Sequence, residues 1–170
     1  YARVVLGIEH PRVGLLSNGT EEHKGCDFTR ACFPAMKQAV PGFVGNCEGT
    51  DLTSGNFDVV VSDGFSGNIA LKATEGAAKY LLHELKGVFM SSLVTKVAAL
   101  ILKRGLKQIQ GKLSGDEKGG AILLGLHGVV LIGHGATSVD AVKNGTLAAA
   151  RAVRADLVGN VAASMEGIVL

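Results

Sequence analysis

Lys24, Asn68 and His134 each adjoin glycine in a short polar stretch, where a side chain and nearby backbone can meet one ligand together. The stretch Asp63-Gly64-Phe65-Ser66-Gly67-Asn68 follows an apolar run, FDVVVS, and precedes a helical pattern. Gly64 and Gly67 permit close backbone approach, and a helix start offers free N–H groups and a positive dipole end. That combination suits an anion, phosphate above all. The Asn68 amide can donate to an oxyanion. The stretch is neither a Walker A loop nor a GxGxxG fingerprint, and it reads equally as a glycine turn with Asn68 as helix cap. Lys24 can neutralise phosphate or an oxyanion, or simply be solvated. His134, between Gly133 and Gly135, can act as acid, base or anion donor, or be structural. Ser17, Asn18 and Thr20 are adaptable hydrogen bonders.

Other chemistries lack their residues. There is no GxSxG elbow, and no cysteine stands with a histidine, which disfavours a covalent mechanism. Cys26, Cys32 and Cys47 are odd in number and show no CxxC spacing, so neither a disulfide framework nor a zinc site is expected. No spaced His/Asp/Glu set suggests a metal, and no cofactor is expected. Three thiols and the lack of a basic, apolar leader predict a cytoplasmic chain.

The elements that must position these residues follow from apolar runs and breakers. Helical turns over 2–8 end at Gly7 and His10-Pro11. RVGLLS (12–17), 43–47 and 57–62 read as strands, and 123–132 as a turn and a further buried strand. Helices are predicted over 28–40, capped by Asp27 with an irregularity at Pro34, and over 69–89. Further helices are predicted over 94–113, with a break near Gly105, and from Thr137 or Ser138 to about 163. Strand, glycine loop and helix in repetition predict an α/β protein with a mainly parallel sheet. Three loops, 18–25, 63–68 and 133–138, then fall at strand carboxyl ends, where such sheets bind ligands.

Composition sets bounds. One hundred and seventy residues, 47% of them hydrophobic, suffice for a real core, and length alone suggests one domain. Few aromatics and no Trp make a poor nucleic-acid platform. The 24 glycines are about twice the usual share of roughly 7%, which fits turns and ligand loops. No stretch is long and apolar enough to predict a membrane span. Charge is uneven, because Leu85–Gly115 contains no acidic residue yet holds Lys86, Lys96, Lys103, Arg104, Lys107 and Lys112. Within it Val94, Val97, Ala98, Ile101, Leu102, Leu106, Ile109 and Leu113 form one helical stripe. An apolar stripe with basic flanks suits a membrane surface, a dimer interface or an acidic partner protein.

VGLLSNGTEEHKG (13–25), FVGNCEGTDLTSGNFDVVVSDGFSGNIALKATEG (43–76) and GGAILLGLHGVVLIGHGATS (119–138) carry a resemblance that extends over essentially the whole chain. The sequence resembles the carboxyl-terminal half of the phosphate acyltransferase (PlsX) family of bacterial phospholipid synthesis. The resemblance implies a three-layer α/β fold like that of isocitrate/isopropylmalate dehydrogenases and phosphate acetyltransferases, with protruding amphipathic helices. It implies transfer of an acyl group from acyl-[acyl-carrier protein] to inorganic phosphate, without a cofactor. The enzyme would be a homodimer resting peripherally on the cytoplasmic membrane. Lys24 and Asn68 match catalytic positions. Asn18, Asp63, Gly64, Gly67 and His134 match phosphate- or substrate-binding loops. The membrane contact would be the segment 92–113, through Val97, Ile101, Leu102, Leu106 and Ile109. Family members are about twice as long, and many have proline where this chain has Gly105. The start at Tyr1 rather than Met, and a helix already ending at Ile8, also predict part of a larger fold. A CoA-dependent phosphate acyltransferase and a non-catalytic membrane or dimerisation module are the alternatives.

Overall fold

Extended runs of Val, Leu and Phe bury well when neighbouring strands take up their backbone groups, and three such runs pair in parallel in a computed structural model of the chain. The structure describes residues 1–114, 119–133 and 138–166. The strands are β1 (Val13–Leu16), β2 (Phe43–Cys47) and β3 (Val59–Val61), in the order β2-β1-β3. β1 is central, with Leu15 opposite Asn46 on one side and Val61 on the other. Its Val13 and Leu15 are buried, as are Cys47 of β2 and Phe33 of helix α1 (Asp27–Ala39). Phe33 meets Phe43 edge to face at 5.2 Å, which fixes α1 against the sheet.

β2 adds to one side of β1 and β3 to the other. Such a change of direction is a topological switch point, where a crevice opens outside the strand carboxyl ends. The crossing from β2 to β3 passes through a 3-10 turn at Gly49–Thr53, closed by a reciprocal bond pair between Glu48 and Asp51. Arg12 anchors the start of β1 beside β3. Its Nε and Nη2 donate to the Asp58 carboxylate at 2.9 and 3.0 Å, and its backbone N–H donates there at 2.8 Å.

The chain divides into two compact units, 1–70 with 154–170, and 71–153. The parallel sheet and α1 belong to the first, as does helix α5 (Leu157–Met165). The second holds most of α2 (Gly64–Met90), all of α3 (Leu93–Ser114), and strands β4 (Ala121–Leu123) and β5 (Val130–Ile132). It also holds nearly all of α4 (Val139–Arg154). Ala141, Gly145, Ala148 and Ala152 are the buried residues of α4. A Cβ at Gly119 would lie 2.0 Å from the Gly145 nitrogen, so the backbones approach as only paired glycines allow.

Several expectations are corrected. Helix α2 starts at Gly64, so residues 64–68 are its first turns rather than a loop. The Asp63 carboxylate accepts the N–H groups of Phe65 and Ser66 at 2.9 and 2.8 Å, which offsets the poor helix propensity of two glycines. Cys26, not Asp27, is the N-cap of α1, while Asp27 pairs with Arg30 in the first turn. Pro34 lies inside α1 and Gly105 inside α3 without interrupting either helix. The 123–132 region is an antiparallel hairpin, and Leu123, Val130 and Ile132 are exposed. The last helix is two, parted at Asp156 in the left-handed region. Residues 2–8 form helical turns, and Gly7 stops them with a φ of +72°.

Candidate active site

β1 runs out at Leu16 into Ser17 and Asn18, and Ser17 stays tied to the sheet through its N–H to the Cys47 carbonyl at 2.8 Å. Asn18 closes the following loop, its Oδ1 accepting the Gly25 N–H at 2.8 Å. With that oxygen engaged, the Asn18 Nδ2 group is oriented as a donor elsewhere. Gly25 has a φ of +106°, and a Cβ there would lie 2.1 Å from the Thr29 hydroxyl. The loop therefore returns against the start of α1 as only glycine can.

A cavity of about 640 Å³ opens at this carboxyl edge. Ser17, Asn18 and Gly25 form one wall, Cys26 and Thr29 at the start of α1 a second. Phe65, Ser66 and Ile69 on the first turns of α2 form a third, and Gly49 after β2 also borders it. The ends of all three parallel strands thus contribute to one space of the size small ligands occupy, ~300–1,000 Å³. The Ser17 hydroxyl oxygen is buried and makes no hydrogen bond among the described residues. Asn46 is also buried beneath the loop. Its Nδ2 donates to the Glu21 carbonyl at 2.8 Å, while its Oδ1 has no partner among the described residues. A buried unpaired hydroxyl costs roughly 1–3 kcal/mol, so a polar guest that reaches Ser17 removes a standing penalty.

Two electrostatic features shape the cavity. The Ser66 hydroxyl first, and then the N–H groups of Ser66 and Phe65, hold the Asp63 carboxyl below its ordinary range, and Asp63 thereby occupies the start of α2 that the sequence assigned to a ligand anion. The Thr29 N–H and hydroxyl both favour the Cys26 thiolate and lower its pKa, while burial and the nearby Asp51 raise that of Cys47. Among the described residues no three His, Cys, Asp or Glu side chains gather to hold a metal ion.

The expected residues divide. Asn18 lines the cavity. Lys24 is half-buried on the same loop but folds over Gly19, where a Cβ would meet the Lys24 stem at 2.8 Å, and it does not line the cavity. Gly67 brings α2 against the end of β3, since a Cβ there would lie 2.2 Å from the Ser62 hydroxyl. Gly64 is exposed at the α2 start. Asn68 is exposed and does not line the cavity; around α2 it lies roughly 60° from Phe65, 100° from Ile69 and 160° from Ser66. Gly133 belongs to the second unit; His134 and the proposed cap Thr137 lie outside the described residues. Cys26, Thr29, Phe65 and Ser66 were missed. The one signal available was a thiol immediately before a helix-starting Asp.

In the second unit, Val97, Ile101, Leu102 and Ile109 are each at least half exposed on α3, as are Leu93, Val94 and Leu100. Leu106 is half-buried instead and faces a groove beside α2. Ser91 and Ser92 join the two helices, and Ser92 and Thr95 exchange backbone-to-hydroxyl bonds at 3.0 and 3.1 Å that cap α3. Among the described residues no helix is long and apolar enough to cross a membrane.

Residues 1–160 match the family described as fatty acid synthesis protein. The chain is 48% identical over 157 residues to the phosphate acyltransferase of Brevibacillus brevis, covering 92% of this chain and 47% of that protein. It is 48% identical over 162 residues to that of Desulforudis audaxviator, covering 95% and 48%. For that of Halothermothrix orenii it is 43% identical over 161 residues, covering 94% and 48%. The chain thus spans about half the length of the curated relatives it matches.

Proposed function

The chain belongs to the fatty acid synthesis protein family, and we propose that it forms the carboxyl-terminal part of a phosphate acyltransferase. Its donor is acyl-[acyl-carrier protein], its acceptor inorganic phosphate, and its product acyl phosphate, the first step toward phosphatidic acid. The observation that carries this reading is the cavity at the end of β1, lined by Ser17 and Asn18, with the Ser17 hydroxyl buried at its edge and unpaired among the described residues.

Phosphate takes that cavity, accepting from Ser17 Oγ and Asn18 Nδ2. The Asp63 carboxylate at the α2 start keeps the dianion on the β1 side, because two anions close together repel. Lys24, one residue before Gly25, swings out from its place over Gly19 and offsets phosphate's charge as it nears the thioester. Phosphate oxygen then attacks the carbonyl carbon, the carbonyl becomes an oxyanion, and its collapse expels the carrier-protein thiolate. Asn68, in the first turns of α2, donates to that oxyanion. No enzyme nucleophile is required. The exposed apolar residues of α3, with Lys96 and Arg104 among them, rest on the cytoplasmic membrane surface, and the enzyme works as a homodimer.

Thiol release from acyl-carrier protein tests the reading. It is run on the chain alone and combined with the other half of the Brevibacillus brevis enzyme. Phosphate-dependent release from the carrier-protein thioester, faster than from acyl-CoA, supports it. Faster release from acyl-CoA points to the CoA-dependent enzyme. Vesicle binding without release in either format leaves a membrane module and overturns the catalytic reading.

A further inference from the structure

The second unit contains a groove that the proposed chemistry does not use. It lies between α2 and α3, encloses about 450 Å³, and falls within the range of small-ligand sites. Its floor is Leu82, Leu85 and Phe89 from α2 with Ala99 and Leu106 from α3, and Lys86 and Lys103 complete the lining. On α2 the lining recurs at three- and four-residue steps from Leu82 to Met90, a track of about 12 Å at 1.5 Å per residue. The helices do not close over it, since Leu85 remains 37% exposed and Met90 57%.

An apolar trough bordered by two cations selects its occupant by chemistry. No carboxylate pairs with Lys86 or Lys103 among the described residues, and the sequence from Leu85 to Gly115 has no acidic residue. A neutral hydrocarbon would use the trough but not the ammonium groups. A two-chain lipid exceeds a single narrow track. We propose that the α2–α3 groove binds one long-chain fatty acid, its carboxylate at Lys86 and Lys103 and only the first part of its hydrocarbon tail along the apolar track, the remainder leaving the groove at its open side. The site is separate from the phosphate cavity of the first unit and stands whether or not the acyltransferase reading does.

The test uses dansyl-labelled undecanoate with the full chain, followed by fluorescence and displaced by palmitate or by neutral hexadecanol. Palmitate displaces the probe saturably at one site per chain. Replacing both Lys86→Gln and Lys103→Gln weakens palmitate about tenfold and leaves hexadecanol unchanged. Ala99→Trp fills the trough and abolishes probe binding. Should Ala99→Trp not fold, Ala99→Cys is measured instead, and palmitate slows its maleimide labelling about tenfold. Ile101→Glu, on the outward face of α3, leaves probe binding intact. Equal weakening of palmitate and hexadecanol, binding unchanged in Ala99→Trp, or probe signal only with vesicles each overturns the proposal. So does a loss of self-association in Ala99→Trp without any fatty-acid binding, which would assign the groove to a second copy of the chain.

Discussion

Gly25→Ala should damage the candidate site through two separable effects. The backbone at Gly25 has a φ of +106°, which a residue with a Cβ adopts at a cost of roughly 1–3 kcal/mol. The new Cβ would also lie 2.1 Å from Thr29 Oγ1 and 3.1 Å from Thr29 Cβ. Thr29 cannot easily yield. It is buried, β-branched within a helix, and its hydroxyl donates to the Cys26 carbonyl at 3.0 Å. Forcing an atom into such a space costs about 1–3 kcal/mol more. The sum, about 4 kcal/mol, should lower the urea midpoint by about 2 M for a slope near 2 kcal/mol per M. The assay is urea unfolding followed by circular dichroism in a double-mutant cycle with Thr29→Ala. In the Thr29→Ala background Gly25→Ala should cost only the backbone part, about 1–3 kcal/mol. Gly67→Ala is the contrasting case. Its Cβ would meet only the Ser62 hydroxyl, which can rotate, while the helix gains about 1 kcal/mol, so the net change stays near zero. A Gly25→Ala cost below about 1 kcal/mol, or one unaltered by Thr29→Ala, would refute the packing argument.

Three further outcomes are expected. Asp58 has its carboxyl pulled to about 2 by Arg12, against an ordinary 3.8, so its stabilisation is complete above that ordinary value and disappears as pH falls through about 2. The urea-midpoint gap between the wild type and Asp58→Asn should therefore be widest at neutral pH and close between pH 3.8 and 2; a gap independent of pH contradicts the pairing. Cys26, exposed and with a lowered pKa, should react with iodoacetamide faster than buried Cys47 in peptide mapping, and inorganic phosphate should slow it; labelling indifferent to phosphate argues against a shared cavity. Ile101→Glu, at a position 78% exposed, should reduce cosedimentation with anionic vesicles without changing the circular dichroism spectrum, whereas unchanged cosedimentation removes α3 from the membrane contact.

The strands at 13–16 and 43–47 were legible because buried parallel strands concentrate apolar residues between turn formers. The start of α2 was not, because Gly64 and Gly67 read as breakers. What overrides them is the Asp63 carboxylate taking two N–H groups, a bond pattern that only the fold reveals. Gly105 likewise marked a break, yet one glycine costs only about 1 kcal/mol and α3 continues through it. Asn18 was legible as a polar residue after an apolar run. Cys26, Thr29, Phe65 and Ser66 enter the cavity only because β2 and β3 flank β1 on opposite sides, and strand order is not written in any local spacing.

Titration of the chain with inorganic phosphate, followed by 31P line broadening, tests the phosphate site most directly. The account predicts saturable broadening that weakens at least about tenfold in Ser17→Ala and in Asn18→Ala, each of which removes a hydrogen bond to a charged guest worth about 1.5–3 kcal/mol. Lys72→Gln, on α2 beyond the cavity, should bind as the wild type does. Phosphate binding of equal strength in the Ser17 and Asn18 variants, or no saturable binding to the wild type, would contradict it.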